Sequence, residues 1–100
     1  MKRKLPIATL VATPEHVDAL KALAHRGRLN VFFTLVTARR EMAAGEIQEA
    51  LGVPSPTLSH HLDQLRRAGL VQSRREERFI YYSVDPLMVN DLVRLLTACC

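Results

Sequence analysis

Tryptophan is absent and aromatic residues make up only 5% of the chain. A platform that stacks successive nucleobases on aromatic rings is therefore excluded as the working principle. Cysteine occurs only at Cys99 and Cys100. Adjacent thiols cannot staple distant parts of a fold, and two fall short of the four ligands that structural zinc takes. No apolar run is long enough to span a bilayer. The start, MKRKLPIATLVATPEH, has basic residues before apolar ones, as an export signal does. Its apolar part is short, Pro6 and Pro14 interrupt it, and no small-residue cleavage pattern follows. The expectation is a cytoplasmic protein with no membrane partner. Internal repeats and low-complexity segments are also missing, and no nucleophile stands with a base and a carboxylate in a catalytic pattern. The chain reads as a non-enzyme.

One hundred residues, 48% of them hydrophobic, make one domain with an ample core. A chain this small buries a modest share of its surface, so dimerisation is a natural supplement. The net charge of +4 suits a polyanionic partner.

Residues 1–12 read as a basic arm in which Lys2, Arg3 and Lys4 suit phosphate, with a solvated, frayed end as the bland alternative. The domain then runs over residues 13–100. Thr13 is placed to cap a first helix, with Pro14 and Glu15 in its first turn and Val17, Leu20 and Leu23 as an apolar stripe for the core or a partner chain. His25-Arg26-Gly27-Arg28 breaks that helix. Leu29, Phe32, Phe33 and Val36, with Val31 and Leu35 beside them, predict a second helix that is apolar nearly all round and hence buried. Thr37 to Glu41 reads as a polar connection, and Met42 to Leu51 as a third helix. Glu46 stands where a capping box needs it, but Ala43 at the cap offers no acceptor, so that helix start is expected to be loose or capped otherwise.

The stretch EIQEALGVPSPTLSHHLDQLRRAGL, Glu46 to Leu70, predicts a helix, a tight turn at Gly52 and a second helix. Ser55 is the expected cap, with Pro56 at the first position. Leu58, Leu62 and Leu65 must face a core. Ser55, Thr57, Ser59, His60, Gln64 and Arg67 lie away from it, and such a polar, basic front suits a DNA major groove. Ser55, Thr57, Ser59 and His60 are the candidates for base contacts, Gln64 and Arg67 for the backbone. His61 turns toward Leu58 and Leu65, where a packed histidine is expected. From Leu70 to Val84 the period changes to that of a hairpin. Its strands are Leu70-Val71-Gln72 and Phe79 to Val84. The polar loop Ser73 to Arg78 carries Arg74, Arg75 and Arg78, which could reach phosphate or the minor groove. Asp85-Pro86 starts a fifth helix. Met88, Leu92, Leu95 and Cys99 lie on one line of it, and Val89, Val93, Leu96 and Cys100 on the next. Its wide apolar stripe calls for a second chain.

The fold class is mainly α with a small β-hairpin, a winged helix-turn-helix of five helices plus wing, expected as a homodimer. AGEIQEALGVPSPTLSHHLDQLRRAGLV, followed by a hairpin ending RFIYYSV, resembles the ArsR/SmtB family of bacterial metal-responsive repressors over roughly Glu15 to Leu96. The resemblance implies a homodimer joined by its first and last helices, which holds a double-stranded DNA operator when free of inducer and leaves it when inducer binds. Two departures matter. The family's Cys-x-Cys metal site before the recognition helix is here Gly45-Glu46-Ile47-Gln48-Glu49, and the last helix has Asp85 and Asp91 but no histidine for a zinc site. Some arsenic-sensing members carry a vicinal cysteine pair at the end of the last helix, as Cys99-Cys100 stands here. No cofactor is required on this reading. The inducer is a trivalent arsenic or antimony species, which is soft and prefers thiolates. An unsubstituted trivalent arsenical wants three sulfurs, the third from the partner subunit, a cellular thiol or chain beyond Cys100; a methylated one needs two. The competing readings are two buried small hydrophobes, a thiol-redox sensor, or a winged-helix regulator that is constitutive.

Overall fold

The computed structural model describes residues 11–99. The elements run α1 (Pro14–Leu23), α2 (Arg26–Ala38), β1 (Met42–Ala43), α3 (Ala44–Leu51), α4 (Ser55–Arg67), β2 (Val71–Glu76), β3 (Phe79–Val84) and α5 (Pro86–Leu96). None of these helices is long and apolar enough to cross a membrane. The arm assigned to residues 1–12 lies outside the described residues apart from Val11 and Ala12, which are exposed.

Local chemistry sets most boundaries. Thr13 Oγ1 accepts from His16 N at 3.1 Å, and Thr13 N donates to His16 Nδ1 at 3.1 Å, so histidine completes a reciprocal cap usually made by a carboxylate. His25 Nδ1 caps α2 by accepting from Gly27 N at 3.1 Å, which makes Arg26-Gly27-Arg28 the first turn of that helix rather than a break. Helix α2 runs on through Thr37 and Ala38, and only Arg39 to Glu41 forms the connection. Gly52 ends α3 at φ 67°, a left-handed conformation that glycine adopts without steric cost. Asp85 caps α5 by accepting from Leu87 N at 3.1 Å.

Several expectations are corrected. Met42 and Ala43 are not helical: they pair with Tyr82 and Tyr81 and complete a three-stranded antiparallel sheet in the order β1-β3-β2. Helix α3 therefore starts at Ala44, where Glu46 Oε1 accepts from Ala43 N at 3.0 Å and Arg40 grips the same carboxylate. That is the alternative cap the missing acceptor required. At α4 the cap is Pro54, with Ser55 and Pro56 opening the helix, so Ser55 makes no capping bond. Only Glu77 and Arg78 turn the hairpin, and Ser73 to Glu76 belong to β2.

The core is formed by Leu58, Leu62 and Leu65 of α4 against Val31, Phe32 and Leu35 of α2, with Ile47, Leu70 and Val71. Helix α2 is buried on one side only. Phe33 is 53% exposed and Val36 also faces out, because the chain offers no further layer there. Helices α1 and α5 meet through His16 Nε2 and Asp91 Oδ2 at 2.6 Å, beside a groove lined by Val11, Leu20, Leu92, Leu95 and Leu96. Val17 and Leu20 of α1 and Leu87, Val93 and Leu96 of α5 are exposed, which leaves an apolar seam uncovered in the single chain.

Candidate nucleic-acid interface

Helix α4 is positioned by its buried leucines. With Leu58, Leu62 and Leu65 at 2% exposure or less, the helical repeat forces Thr57, Ser59, His60 and Arg67 to the outside. All four are exposed, as is Ser55 at the first position of the helix. Gln64 differs: it is half-buried and lies in a cleft toward α1. Arg67 borders the same cleft, and its Nε sits 3.0 Å from Asp63 Oδ2. The front of α4 therefore divides into a polar, open N-terminal half and a C-terminal half that shares a cleft with α1.

His61 is on the inner side, 6% exposed, as its position between Leu58 and Leu65 requires. Its ring centroid stands 5.0 Å from that of His25, and Nδ1 has no hydrogen-bond partner among the described residues. Burial holds its pKa below the usual 6.5, and the positive charge available at His25, Arg28 and His60 pushes the same way. Gly27 is the reason the ring fits. A Cβ built there would lie 2.7 Å from His61 Nε2. The junction between α2 and α4 thus depends on a glycine and a neutral imidazole.

The hairpin sorts its arginines by strand alternation. Arg74 stands opposite Tyr81, and Arg75 opposite Ile80, on the other face. Arg74 is engaged within the protein. Its Nε and Nη2 donate to the two Glu41 oxygens at 2.9 and 2.8 Å, Nη1 donates to Glu76 at 2.9 Å, and its guanidinium lies 4.9 Å from the Tyr81 ring centre. The hydrogen bonds donated by Arg74 hold the Glu41 carboxyl below the usual carboxylate range, and its donation to Glu41 and Glu76 raises Arg74 above its ordinary value. Arg75 and Arg78 form no ion pair among the described residues, and Arg78 rests 5.4 Å from the Phe79 ring centre. The sequence pattern put three arginines at one tip. The fold gives one to pinning the wing against the α2–β1 connection and leaves two at the tip.

The cysteine pair is placed differently from the helical line drawn through it. Helix α5 ends at Leu96, with Thr97 as its cap and Thr97 Oγ1 bonded to Val93 O at 2.6 Å. Cys99 therefore sits in the turn beyond the helix, exposed, and does not continue the apolar stripe. Cys100 lies outside the described residues. No group of three or more His, Cys, Asp or Glu side chains among the described residues could hold a metal ion. Lys21 and Arg28 line the cleft with Gln64 and Arg67; the sequence suggests only a solvated face for Arg28, because these two residues come from other helices and share no spacing with α4.

Comparison with known proteins bears on this arrangement. A family model described as a helix-turn-helix domain matches residues 23–74. The chain is 39% identical over 77 residues to the HTH-type transcriptional regulator KmtR of Mycobacterium tuberculosis, covering 77% of this chain and 58% of that protein. It is 37% identical over 82 residues to the biofilm growth-associated repressor of Xylella fastidiosa, covering 82% of this chain and 70% of the relative. Among solved structures it is similar to a domain from Mycobacterium bovis described as a homodimeric winged helix-turn-helix DNA-binding domain of a possible ArsR-family transcriptional regulator. The TM-score there is 0.70 at 31% identity, with 98% of this chain and 86% of that one covered.

Proposed function

The chain belongs to the ArsR/SmtB family of winged helix-turn-helix transcriptional regulators, and from that premise we propose that it is a homodimeric repressor released from its operator by a trivalent arsenical at Cys99 and Cys100. The observation that carries the DNA reading is the open polar row on α4, with Thr57, Ser59 and His60 outward over a leucine-packed back, followed by a hairpin tipped with Arg75 and Arg78. On this reading Ser55, Thr57, Ser59 and His60 meet base edges, and Arg67, Arg75 and Arg78 meet phosphates. The exposed apolar seam on α1 and α5 suits a second copy, which would set two recognition helices about one DNA turn apart. A homodimer is also how the similar Mycobacterium bovis domain is described.

The inducer reading rests on two thiols adjacent in sequence, the only cysteines in the chain, of which Cys99 lies in the turn three residues past the end of the helix that borders this seam. Each arsenic–sulfur bond forms as a thiol loses its proton and an arsenic-bound hydroxide leaves as water. A methylated arsenical is satisfied by Cys99 and Cys100; an unsubstituted one needs a third thiol from the partner subunit or a cellular thiol. Ligation tugs on the end of α5, and the His16–Asp91 contact carries the shift to α1. The ligand must bind the DNA-incompetent arrangement more tightly, with a coupling of about 1–3 kcal/mol.

The test is fluorescence anisotropy on an operator complex titrated with arsenite and methylarsenite. Release is expected from the reduced protein, and none from a Cys99→Ser, Cys100→Ser variant that still binds DNA. Full release of that variant, or unchanged affinity of the reduced wild type, would overturn the inducer reading and leave a regulator that works without metalloid. X-ray absorption then counts the sulfurs on each arsenic.

A further inference from the structure

We infer that the cleft between α1 and the C-terminal half of α4 is a DNA phosphate site, with Lys21 and Arg28 as contacts outside both the helix-turn-helix and the wing. The inference rests on the DNA-binding reading above and extends it.

The cleft has a volume of about 260 Å³ and is lined by Asp18, Lys21 and Ala22 of α1, Arg28 of α2, Gln64 and Arg67 of α4, and Ala68. Three cations from three different helices share it with one carboxylate. Like charges brought together by a fold repel one another, and an anion seated among them relieves that cost. The donors are also held in place. Arg28 Nε donates to Ala22 O at 2.8 Å, which fixes the guanidinium at the end of α1 and leaves its terminal nitrogens for a ligand. Lys21 forms no ion pair among the described residues. Arg67 keeps its terminal nitrogens beyond the Nε contact with Asp63. The Gln64 amide adds a neutral donor with no hydrogen bond among the described residues.

Continuity with the recognition surface points to DNA as the source of the phosphate. His60, Gln64 and Arg67 follow one another at i, i+4 and i+7, so one line along α4 runs from the exposed front into the cleft. A duplex lying against His60 brings a strand's phosphates to the cleft rim. A phosphodiester carries a single negative charge, which matches the one positive charge left when the three cations are set against Asp18 and the Asp63 carboxylate beside Arg67. Such a contact positions the protein and carries no base information.

The experiment measures DNA affinity of the full chain between 50 and 200 mM salt, on an operator and on an unrelated duplex, for wild type, Lys21→Gln, Asp18→Asn and, as a wing control, Arg78→Ala. Lys21 and Asp18 are both exposed, so neither change threatens the fold. Lys21→Gln is expected to weaken both duplexes several-fold and to lower the log–log salt slope by about 0.9, the effect of losing one phosphate contact. Asp18→Asn is expected to tighten both. If Lys21→Gln and Asp18→Asn behave as wild type while Arg78→Ala lowers the slope, the cleft is not a DNA contact and the DNA reading stands. If wild type shows no salt-dependent DNA affinity, both fall. A parallel titration with inorganic phosphate separates the sources: loss of phosphate binding in Lys21→Gln with an unchanged DNA slope assigns the cleft to a free anion and overturns the proposal.

Discussion

Replacing Gly27 with alanine puts the α2–α4 junction to a test in which two physical effects oppose each other. Alanine is the better helix former, and in an unobstructed helix the exchange is worth about 0.5–1 kcal/mol. Here the new methyl would meet His61 Nε2 at 2.7 Å and the His25 ring at 3.2 Å. The His61 ring must retreat by several tenths of an ångström. It is 6% exposed on a face shared with Leu58 and Leu65, so it cannot swing into solvent without disturbing the core. Overpacking of this kind costs about 1–3 kcal/mol. Taking the middle of that range against the propensity gain leaves Gly27→Ala destabilised by about 1 kcal/mol, or a fall in Tm of about 4–8 °C for a domain of this size. Gly45, on the exposed side of α3, has open space where a methyl would sit, with nothing within 4 Å, so Gly45→Ala is expected to move the other way by about 0.5–1 kcal/mol. Thermal melts at one fixed protein concentration compare the two. In a His61→Ala background the main obstruction is gone, and Gly27→Ala should turn neutral or stabilising, a coupling of about 1–2 kcal/mol. A Gly27→Ala protein that melts above wild type, or shows no coupling to His61, would refute the packing argument. Because His60 is the next residue on α4, the destabilised variant is also expected to bind DNA more weakly.

Stability should depend on pH through His61. Its folded pKa lies below its ordinary 6.5, so the unfolded chain takes up the proton first as pH falls, and stability present above about 6.5 is lost below it. Urea midpoints at pH 7.5 and 5.5 should separate for wild type and draw together in His61→Gln; equal separations would show that another group governs the dependence. In the wing, Arg75→Ala or Arg78→Ala should each lower the DNA salt slope by about 0.9, whereas Arg74→Ala should change it little, because Arg74 is held by Glu41 and Glu76. Glu41→Gln removes one of the two carboxylates that hold Arg74 and should steepen the slope. An Arg74→Ala effect equal to that of Arg75→Ala would mean that the internal pairing is given up on DNA.

The sequence alone determined the elements whose signals are local. The leucine spacing of α4, the turn at Gly52, the caps at Thr13 and Asp85 and the β-rich run Phe79–Val84 each act within a few residues, so their chemistry is written in order along the chain. The outward row from Thr57 to Arg67 follows from the same repeat, which is why the DNA-facing candidates were legible without any tertiary contact. Tertiary structure decided whatever needed two distant segments. Met42 and Ala43 are too short a strand to signal themselves and exist only because β3 offers an edge. Arg74 was one of three equivalent arginines until Glu41, 33 positions away, took it. The exposed side of α2 looked as apolar as its buried side, because periodicity cannot say how many layers a small chain will supply. Gly27 read as a helix breaker until His61 was found against it. The cleft that Lys21, Arg28 and Arg67 share has no sequence signature, since three helices must pack before three scattered cations become one site.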